Sequence, residues 1–181
     1  MKRAIIIHGW DFTPKMNWYP WLKKELELKG YEVVVPEMPN SPEPKIEEWI
    51  NKLKTLEIDN NTLLISHSIG CQAIIRFLEK ENFTVNQAVF VAGWFKLDNL
   101  ENEEVEQIAK PWLQMPNLTN IKGKIKNLTV FLSSNEPFGC IEENKNLFNK
   151  IGAKVIVLED KGHFTKEDGI IKVPEILQVI K

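Results

Sequence analysis

Six short apolar runs that alternate with longer amphipathic segments constrain the fold of this chain more than any other feature. The runs are nearly continuous Ile, Val, Leu and Phe rather than an alternation of apolar and polar residues. They lie at Ala4–Ile7, Glu32–Val35, Leu63–Ser66, Ala88–Ala92, Thr129–Ser133 and Lys154–Leu158. Continuous apolar strands are typical of a parallel sheet that is covered on both faces. The pattern therefore predicts an α/β fold with a six-stranded, doubly wound parallel sheet.

The segments between these runs predict helices. One of them ends before Gly30, a usual residue just past a helix C-terminus, and another begins at Pro174, which suits a first helical position. The predicted helices span Trp18–Lys29, Pro44–Leu56, Ile69–Glu81, Glu101–Leu113, Glu142–Ile151 and Pro174–Ile180. A length of 181 residues suits one domain. We interpret residues 1–181 as a single domain, with residues 94–126 as a minimal cap segment.

Composition narrows the possible partners. A net charge of −2 gives no electrostatic reason to expect nucleic acid or an anionic membrane. The two cysteines, Cys71 and Cys140, fit neither a disulfide framework nor a CxxC site. The apolar stretch after Arg3 is too short for a signal peptide, and no segment has the apolar length of a membrane span. We therefore predict a cytoplasmic protein with no cofactor and no metal, and with neither nucleic acid nor membrane as a partner.

The third apolar run leads directly into Ser66-His67-Ser68-Ile69-Gly70 and then into a predicted helix. Strand, sharp turn, serine and helix is the order of a nucleophile elbow. Because the helix packs closely behind the turn, small residues are needed two positions to either side of the serine. Gly70 meets this need on one side, and Ser66 meets it on the other in place of the usual glycine. The pattern makes Ser68 a candidate nucleophile, although a serine that only caps a helix is the simpler interpretation.

Two other strand ends carry a histidine and a carboxylate. His163 follows the last apolar run, where a general base can take the proton of Ser68. Glu136 is the only carboxylate between the fifth run and the next predicted helix. Glutamate is an accepted alternative to aspartate as the third member of such a triad. The weaker candidates, in a helical first turn or close to a strand end, are Glu142, Glu143 and Asp160.

The loop after the first strand is the expected partner of the serine turn. In a sheet ordered 2-1-3-4-5-6, ligands bind where the strand order reverses, and this loop lies beside the elbow there. We expect the backbone N–H groups of Trp10 and Ile69 to form an oxyanion hole. We expect Trp112 to fold over the pocket. The predicted pocket residues are Gly9, Phe12, Trp94, Phe138 and Phe164, which favour a small apolar or aromatic acyl group.

Together these segments resemble the small serine hydrolases of the α/β-hydrolase fold, the family of the retinoblastoma-binding serine hydrolase and its bacterial relatives. The resemblance implies a catalytic triad that maps onto Ser68, Glu136 and His163. Glu136 stands where the family usually has aspartate. The matching segments are Ile7-His8-Gly9, Trp18–Leu26, Ser66–Gly70, Pro111-Trp112, Glu136-Pro137-Phe138 and Gly162-His163-Phe164.

The predicted function is a serine hydrolase that cleaves a small acyl ester through an acyl-enzyme intermediate. A peptidase or a thioesterase would use the same route, and the sequence does not separate the three. A protein-binding module that keeps the fold without catalysis is the main alternative. A metalloenzyme using His8, His67 and His163 is a further one, but these histidines have no H-x-H or H-E-x-x-H spacing.

Overall fold

The computed structural model describes residues 2–181, and its strands form one six-stranded sheet. The strands are β1 (Lys2–Ile7), β2 (Tyr31–Val34), β3 (Leu63–His67), β4 (Val85–Val91), β5 (Ile125–Ser133) and β6 (Lys154–Leu158). Their order is β2-β1-β3-β4-β5-β6, and every neighbouring pair is parallel. The predicted sheet is therefore confirmed in strand number, direction and order.

Helices connect these strands. They are α1 (Tyr19–Leu28), α2 (Ile46–Lys54), α3 (Ile69–Lys80), α4 (Glu103–Ala109), α5 (Leu118–Ile121), α6 (Ile141–Lys150) and α7 (Pro174–Val179). The helix α4 ends before the predicted end at Leu113, because Pro111 lacks the N–H that would continue the helical hydrogen bonds. The short α5 was not predicted. Its N-cap is Asn117, whose side chain accepts hydrogen bonds from two backbone N–H groups of the first turn.

The sheet buries both of its faces. Successive side chains of a strand point to opposite sides, so Ile5 and Ile7 join one apolar cluster while Ala4 and Ile6 join another. The first cluster contains the apolar faces of α2, α3 and α6, and the second contains those of α1 and α7. This burial explains why the strand sequences are continuously apolar. It also leaves the carboxyl ends of the strands as the edge where polar loops can meet.

No helix within residues 2–181 is long and apolar enough to cross a membrane.

Candidate active site

Ser68 lies at the turn between β3 and α3, in a strained backbone conformation. Its φ is +53° and its ψ is −124°, a region that residues with a Cβ rarely occupy. The turn is held by the Ser68 N–H, which donates to the carbonyl of Val91 at the end of β4 over 2.9 Å. This is the backbone geometry of a nucleophile elbow, in which the serine hydroxyl projects above the sheet edge.

The two residues that flank the elbow show why they must be small. A Cβ added at Gly70 would lie 2.7 Å from the carbonyl oxygen of His8 and 2.9 Å from that of Ile7, so α3 packs directly against the end of β1. On the other side, the fully buried Ser66 donates its hydroxyl to the sulfur of Cys71 over 3.1 Å. A glycine is thus required two residues after Ser68, whereas the position two residues before it has room for one small side chain.

Gly70→Ala is therefore expected to destabilise the fold by about 1–3 kcal/mol or more, because a methyl group here meets backbone that cannot rotate away. Urea unfolding of the wild type and the variant measures the difference. Gly93→Ala is the matched control, since a Cβ there first meets the ring of Phe148 and the side chain of Cys71. We expect a smaller loss for the control. Equal stability of Gly70→Ala and the wild type would contradict the steric argument.

The structure brings Ser68, His163 and Glu136 into one hydrogen-bonded chain. The Oγ of Ser68 is 2.8 Å from Nε2 of His163, and Nδ1 of His163 is 2.8 Å from Oε1 of Glu136. The His163 and Glu136 side chains are each 11% exposed. An ionised carboxylate only accepts, so Nδ1 carries a proton, and Nε2 of the neutral ring accepts from the serine hydroxyl. The arrangement can remove the Ser68 proton and stabilise the imidazolium that forms.

The Glu136 carboxylate also accepts from the N–H of Phe138 over 3.4 Å, and the Phe138 ring packs edge-on against the His163 ring. The rival carboxylates take other positions. Glu142 pairs with Lys145 on the surface of α6. Asp160 is exposed, and its backbone N–H donates to the hydroxyl of Ser134.

Asp168 anchors the loop that carries His163, and sequence reasoning missed it. Its Oδ2 accepts from the N–H of His163 over 2.9 Å, from the N–H of Thr165 over 2.9 Å and from the Thr165 hydroxyl over 2.7 Å. The Thr165 hydroxyl in turn accepts from the N–H of Asp168 over 3.3 Å. This reciprocal pattern is that of a capping box, and the spacing Thr165-x-x-Asp168 is the sequence signal that could have identified it.

Asn135 joins the loops after β5 and β6. Its Oδ1 accepts from the N–H of Gly162 over 2.7 Å and from the hydroxyl of Ser133 over 2.6 Å. The Ser133 hydroxyl oxygen accepts from the N–H of Lys161 over 2.9 Å. These bonds hold the Glu136 loop against the His163 loop. No sequence pattern indicated the bonds between the two loops, because Lys161 and Gly162 follow a different strand from Ser133 and Asn135.

The loop after β1 lies against the serine, as its predicted position in the sheet requires. A Cβ added at Gly9 would lie 2.7 Å from the ring of Phe12 and 3.3 Å from Cβ of Ser68. Within residues 2–181, the backbone N–H groups of Trp10 and Ile69 have no hydrogen-bond acceptor. Two N–H groups without an acceptor, in the two segments that meet at Ser68, can hold an oxyanion.

Ser68 and His163 open into a cavity of about 370 Å³, within the usual range for small-molecule sites. Trp94 forms one wall, and its indole Nε1 is 3.4 Å from the Ser68 hydroxyl oxygen. The helix α4, from the segment that we interpreted as a cap, contributes another wall. The apolar lining residues are Trp10, Phe12, Pro42, Trp94, Leu97, Leu100, Val105, Ile108 and Phe138.

Three predicted pocket contributions need correction. Phe164 is completely buried in the cluster beside α1 and α7, because the His163 side chain takes the direction of the cavity and the next residue turns to the opposite side. Gly9 lies between Phe12 and Ser68 and does not line the cavity. Trp112 lies in the other core cluster, edge-on against Trp49, instead of folding over the site.

The charged residues of the cavity are all acidic. Asp11, Glu101 and Glu104 lie at its rim and are exposed, and no Lys or Arg is among the lining residues that the structure describes. A negative rim disfavours phosphorylated or carboxylate-bearing substrates. The negative rim was not expected from the sequence, because it depends on how the loop after β1 and the start of α4 come together.

The other two histidines are buried and hydrogen-bonded within the protein. His8 has Nδ1 2.8 Å from the carbonyl of Gly9, and its Nε2 accepts from the N–H of Met38 over 3.0 Å. His67 has both ring nitrogens bound, to the Tyr19 hydroxyl and the His163 carbonyl. Burial lowers the pKa of His8 and lowers the pKa of His67 well below the usual histidine value. Neither ring has a free nitrogen for the metal site considered from the sequence.

These lowered pKa values predict acid sensitivity. Below about pH 6.5 the unfolded chain protonates His8 and His67 while the folded protein does not, so their contribution to stability is present above this pH and is lost as the pH falls. Each histidine that is protonated in the unfolded chain and neutral in the folded protein lowers the free energy of unfolding by about 1.4 kcal/mol per pH unit as the pH falls. Urea unfolding at about pH 7.5, 6 and 5 measures it. His67→Asn should have a shallower slope, and a flat profile for the wild type would contradict the prediction.

Comparison with known proteins identifies the family of this chain. The model of the serine hydrolase family matches residues 4–181. The chain belongs to the serine hydrolase family. This serine hydrolase is 28% identical over 191 residues to the hydrolase YdeN of Bacillus subtilis, covering 99% of this chain and 94% of that protein. It is 26% identical over 184 residues to the serine hydrolase RBBP9 of Rattus norvegicus, covering 99% and 94% of the two chains.

Solved structures confirm the fold of this serine hydrolase. The crystal structure of the ydeN gene product of B. subtilis has a TM-score of 0.89, with 99% of this chain and 96% of that chain covered. The esterase domain of a Rhodothermus marinus protein shares the fold at a TM-score of 0.66 and 15% identity, covering 97% and 84% of the chains. The predicted resemblance and the α/β-hydrolase fold are confirmed. Membership of the family makes hydrolysis the class of activity.

Proposed function

We propose that this serine hydrolase cleaves small acyl esters through an acyl-enzyme intermediate formed on Ser68. The observation that carries the proposal is the chain of two 2.8 Å hydrogen bonds from Ser68 through His163 to Glu136 at the mouth of an apolar cavity. A protein that used the fold only as a scaffold would have no need for a strained serine, a base and a carboxylate in this register.

In the first step the Ser68 oxygen attacks the ester carbonyl while Nε2 of His163 takes the hydroxyl proton. Glu136 holds the ring in the tautomer with the proton on Nδ1 and stabilises the imidazolium. The carbonyl oxygen becomes negative and is held by the N–H groups of Trp10 and Ile69. His163 then returns the proton to the leaving alkoxide, so that an alcohol departs and the acyl group remains on Ser68.

In the second step a water molecule replaces the alcohol. His163 takes a proton from the water as its oxygen attacks the acyl carbon, and the same two N–H groups hold the oxyanion. The bond to the serine oxygen then breaks. Proton return from His163 regenerates the Ser68 hydroxyl, and the carboxylic acid leaves. The balanced reaction is ester plus water to acid plus alcohol.

The cavity supports a small uncharged acyl group as the substrate. Its walls combine aromatic and aliphatic side chains, and about 370 Å³ suits a short or aromatic acyl chain. The carboxylates at the rim disfavour anionic substrates through like-charge repulsion. An alkoxide is a better leaving group than the anion of an amine, and the nitrogen of a peptide must be protonated before it departs, so ester cleavage demands less of His163 as a proton donor than peptide cleavage.

The test combines covalent labelling with turnover. A fluorophosphonate probe should add stoichiometrically to the folded protein, and peptide mapping should place the adduct on Ser68. p-Nitrophenyl esters of increasing chain length should then be hydrolysed, with acetate and butyrate preferred over long chains and over an ester with an anionic acyl group. Absence of labelling in protein that unfolds cooperatively would contradict the proposal and favour a non-catalytic binding module.

A parallel panel of peptide and thioester substrates distinguishes an esterase from a peptidase and from a thioesterase. Faster turnover of an aminoacyl anilide or an acyl thioester than of the matched ester, together with labelling at Ser68, would keep the acyl-enzyme route and overturn the ester preference.

A further inference from the structure

His67 occupies the position directly before Ser68, yet its side chain points away from the serine hydroxyl. The ring is completely buried and stacks on Phe12, with the two rings 5.5 Å apart and 5° from parallel. Its Nδ1 is 2.6 Å from the hydroxyl oxygen of Tyr19, and its Nε2 is 2.7 Å from the carbonyl oxygen of His163. Neither ring nitrogen takes part in the two proposed steps, although Nε2 binds the backbone of the general base His163.

The direction of each hydrogen bond follows from the chemistry of the partners. A carbonyl oxygen only accepts, so Nε2 of His67 carries the proton. Burial and the neighbouring His163 hold the pKa of His67 well below its usual value, so the ring is neutral and Nδ1 is an acceptor. The Tyr19 hydroxyl therefore donates to Nδ1. Its oxygen in turn accepts from the N–H of Gly9 over 3.2 Å.

These bonds form a one-way chain of donors from Gly9 through Tyr19 and His67 to the His163 carbonyl. Gly9 directly precedes Trp10, whose N–H we assign to the oxyanion. At the other end, His163 has a partner for every polar atom it carries: the N–H binds Asp168, the ring binds Glu136 and Ser68, and the carbonyl binds His67. The chain thus joins the two loops whose spacing decides where the base and the oxyanion donors stand.

We propose that His67 is a positioning residue, which acts as a neutral bridge that sets the separation between the general base His163 and the oxyanion loop at Gly9-Trp10. This inference rests on the proposed acyl-enzyme function of Ser68. A neutral imidazole suits the role because it presents a donor and an acceptor on opposite edges of one rigid ring without bringing a charge into the core. Lysine and arginine offer no acceptor, and serine is too short to span both loops.

Two amide variants test the two hydrogen bonds of His67 one at a time. Asparagine places an acceptor near Nδ1 and removes the donor to His163, whereas glutamine places a donor near Nε2 and removes the acceptor for Tyr19. We expect His67→Asn and His67→Gln each to lower kcat for p-nitrophenyl esters by roughly tenfold to a hundredfold, with KM within about twofold of the wild type, because only the reacting geometry is disturbed. Tyr19→Phe should resemble His67→Gln, since both break the chain at the same bond.

A double-mutant cycle and a core control separate positioning from simple loss of stability. Tyr19→Phe combined with His67→Gln should lose less activity than the sum of the two single losses, because both variants remove the bond between Tyr19 and His67 and only the bond from Gly9 to Tyr19 is lost in addition. Phe77→Leu is the core control. Phe77 lies on α3 in the apolar cluster, and its ring packs against that of Phe83. We expect this control to lose stability while keeping kcat per folded molecule. Additive losses in the cycle, or a kcat of His67→Asn within about twofold of the wild type, would overturn the proposal.

A second measurement tests the hydrogen bonds of His67 without an activity assay. Long-range proton–nitrogen NMR of the wild type should find His67 as the tautomer protonated on Nε2, with no titration in the usual histidine range around pH 6.5. A proton on Nδ1, or titration in this range, overturns the bridge even if Ser68 is labelled by a fluorophosphonate. The expected tautomer in a protein that is never labelled contradicts the proposed function instead, and with it the catalytic consequence of the bridge.

Discussion

Ser68→Ala is expected to lower ester turnover by about 10⁴-fold or more and to abolish fluorophosphonate labelling, because no other group takes the place of the attacking oxygen. The loss should fall on kcat, since the cavity walls that bind the acyl group are unchanged. Initial rates with p-nitrophenyl butyrate and intact-mass analysis of the labelled protein measure both effects. The fold should remain, because the variant removes one hydroxyl from a turn whose backbone bonds are independent of it.

Ser66→Ala is the matched control for this variant. Its hydroxyl lies two residues away on the same strand end, is completely buried and bonds to Cys71 instead of His163. We expect this control to retain labelling and turnover. Labelling that persists in Ser68→Ala, or that disappears in Ser66→Ala with Ser68 present, would show that the nucleophile lies elsewhere.

Glu136→Gln is expected to lower kcat by roughly 10³- to 10⁴-fold with the fold intact. A neutral amide can donate its own N–H to Nδ1 of His163, which moves the ring proton to Nε2 and removes the acceptor for the Ser68 hydroxyl. The amide also stabilises the imidazolium less than the carboxylate does. Turnover of the best p-nitrophenyl ester, together with the rate of fluorophosphonate labelling, measures the loss.

The length of the Glu136 side chain gives a second comparison. Glu136→Asp shortens it by about 1.5 Å, so its carboxylate should fall short of Nδ1 and kcat should fall even though the charge is kept. Glu142→Gln, at an exposed carboxylate that pairs with Lys145, should leave kcat unchanged. Full activity of Glu136→Gln would contradict the proposed role, and faster turnover of Glu136→Asp would indicate that the longer side chain slows the reaction.

Much of the fold follows from local sequence. Six continuous apolar runs predicted a doubly wound parallel sheet, since strands that are buried on both faces must be apolar throughout. The order of strand, small residues, serine and helix predicted the turn at Ser68, because its strained backbone and the close packing of α3 against β1 exclude larger side chains at Gly70. Chain order then selected His163 and Glu136, and in the structure His163 is hydrogen-bonded to Ser68 through one ring nitrogen and to Glu136 through the other.

Side-chain direction and contacts between distant loops could not be predicted in this way. Phe164 is adjacent to His163 and aromatic, yet it faces the core, because a turn sends neighbouring side chains to opposite sides. His67 lies far along the chain from the His163 carbonyl that it binds. The sequence by itself determined which strand ends carry reactive groups, because burial and turn chemistry act locally. Only the tertiary structure decided which polar atoms meet, because hydrogen bonds depend on fractions of an ångström between segments that are far apart in the chain.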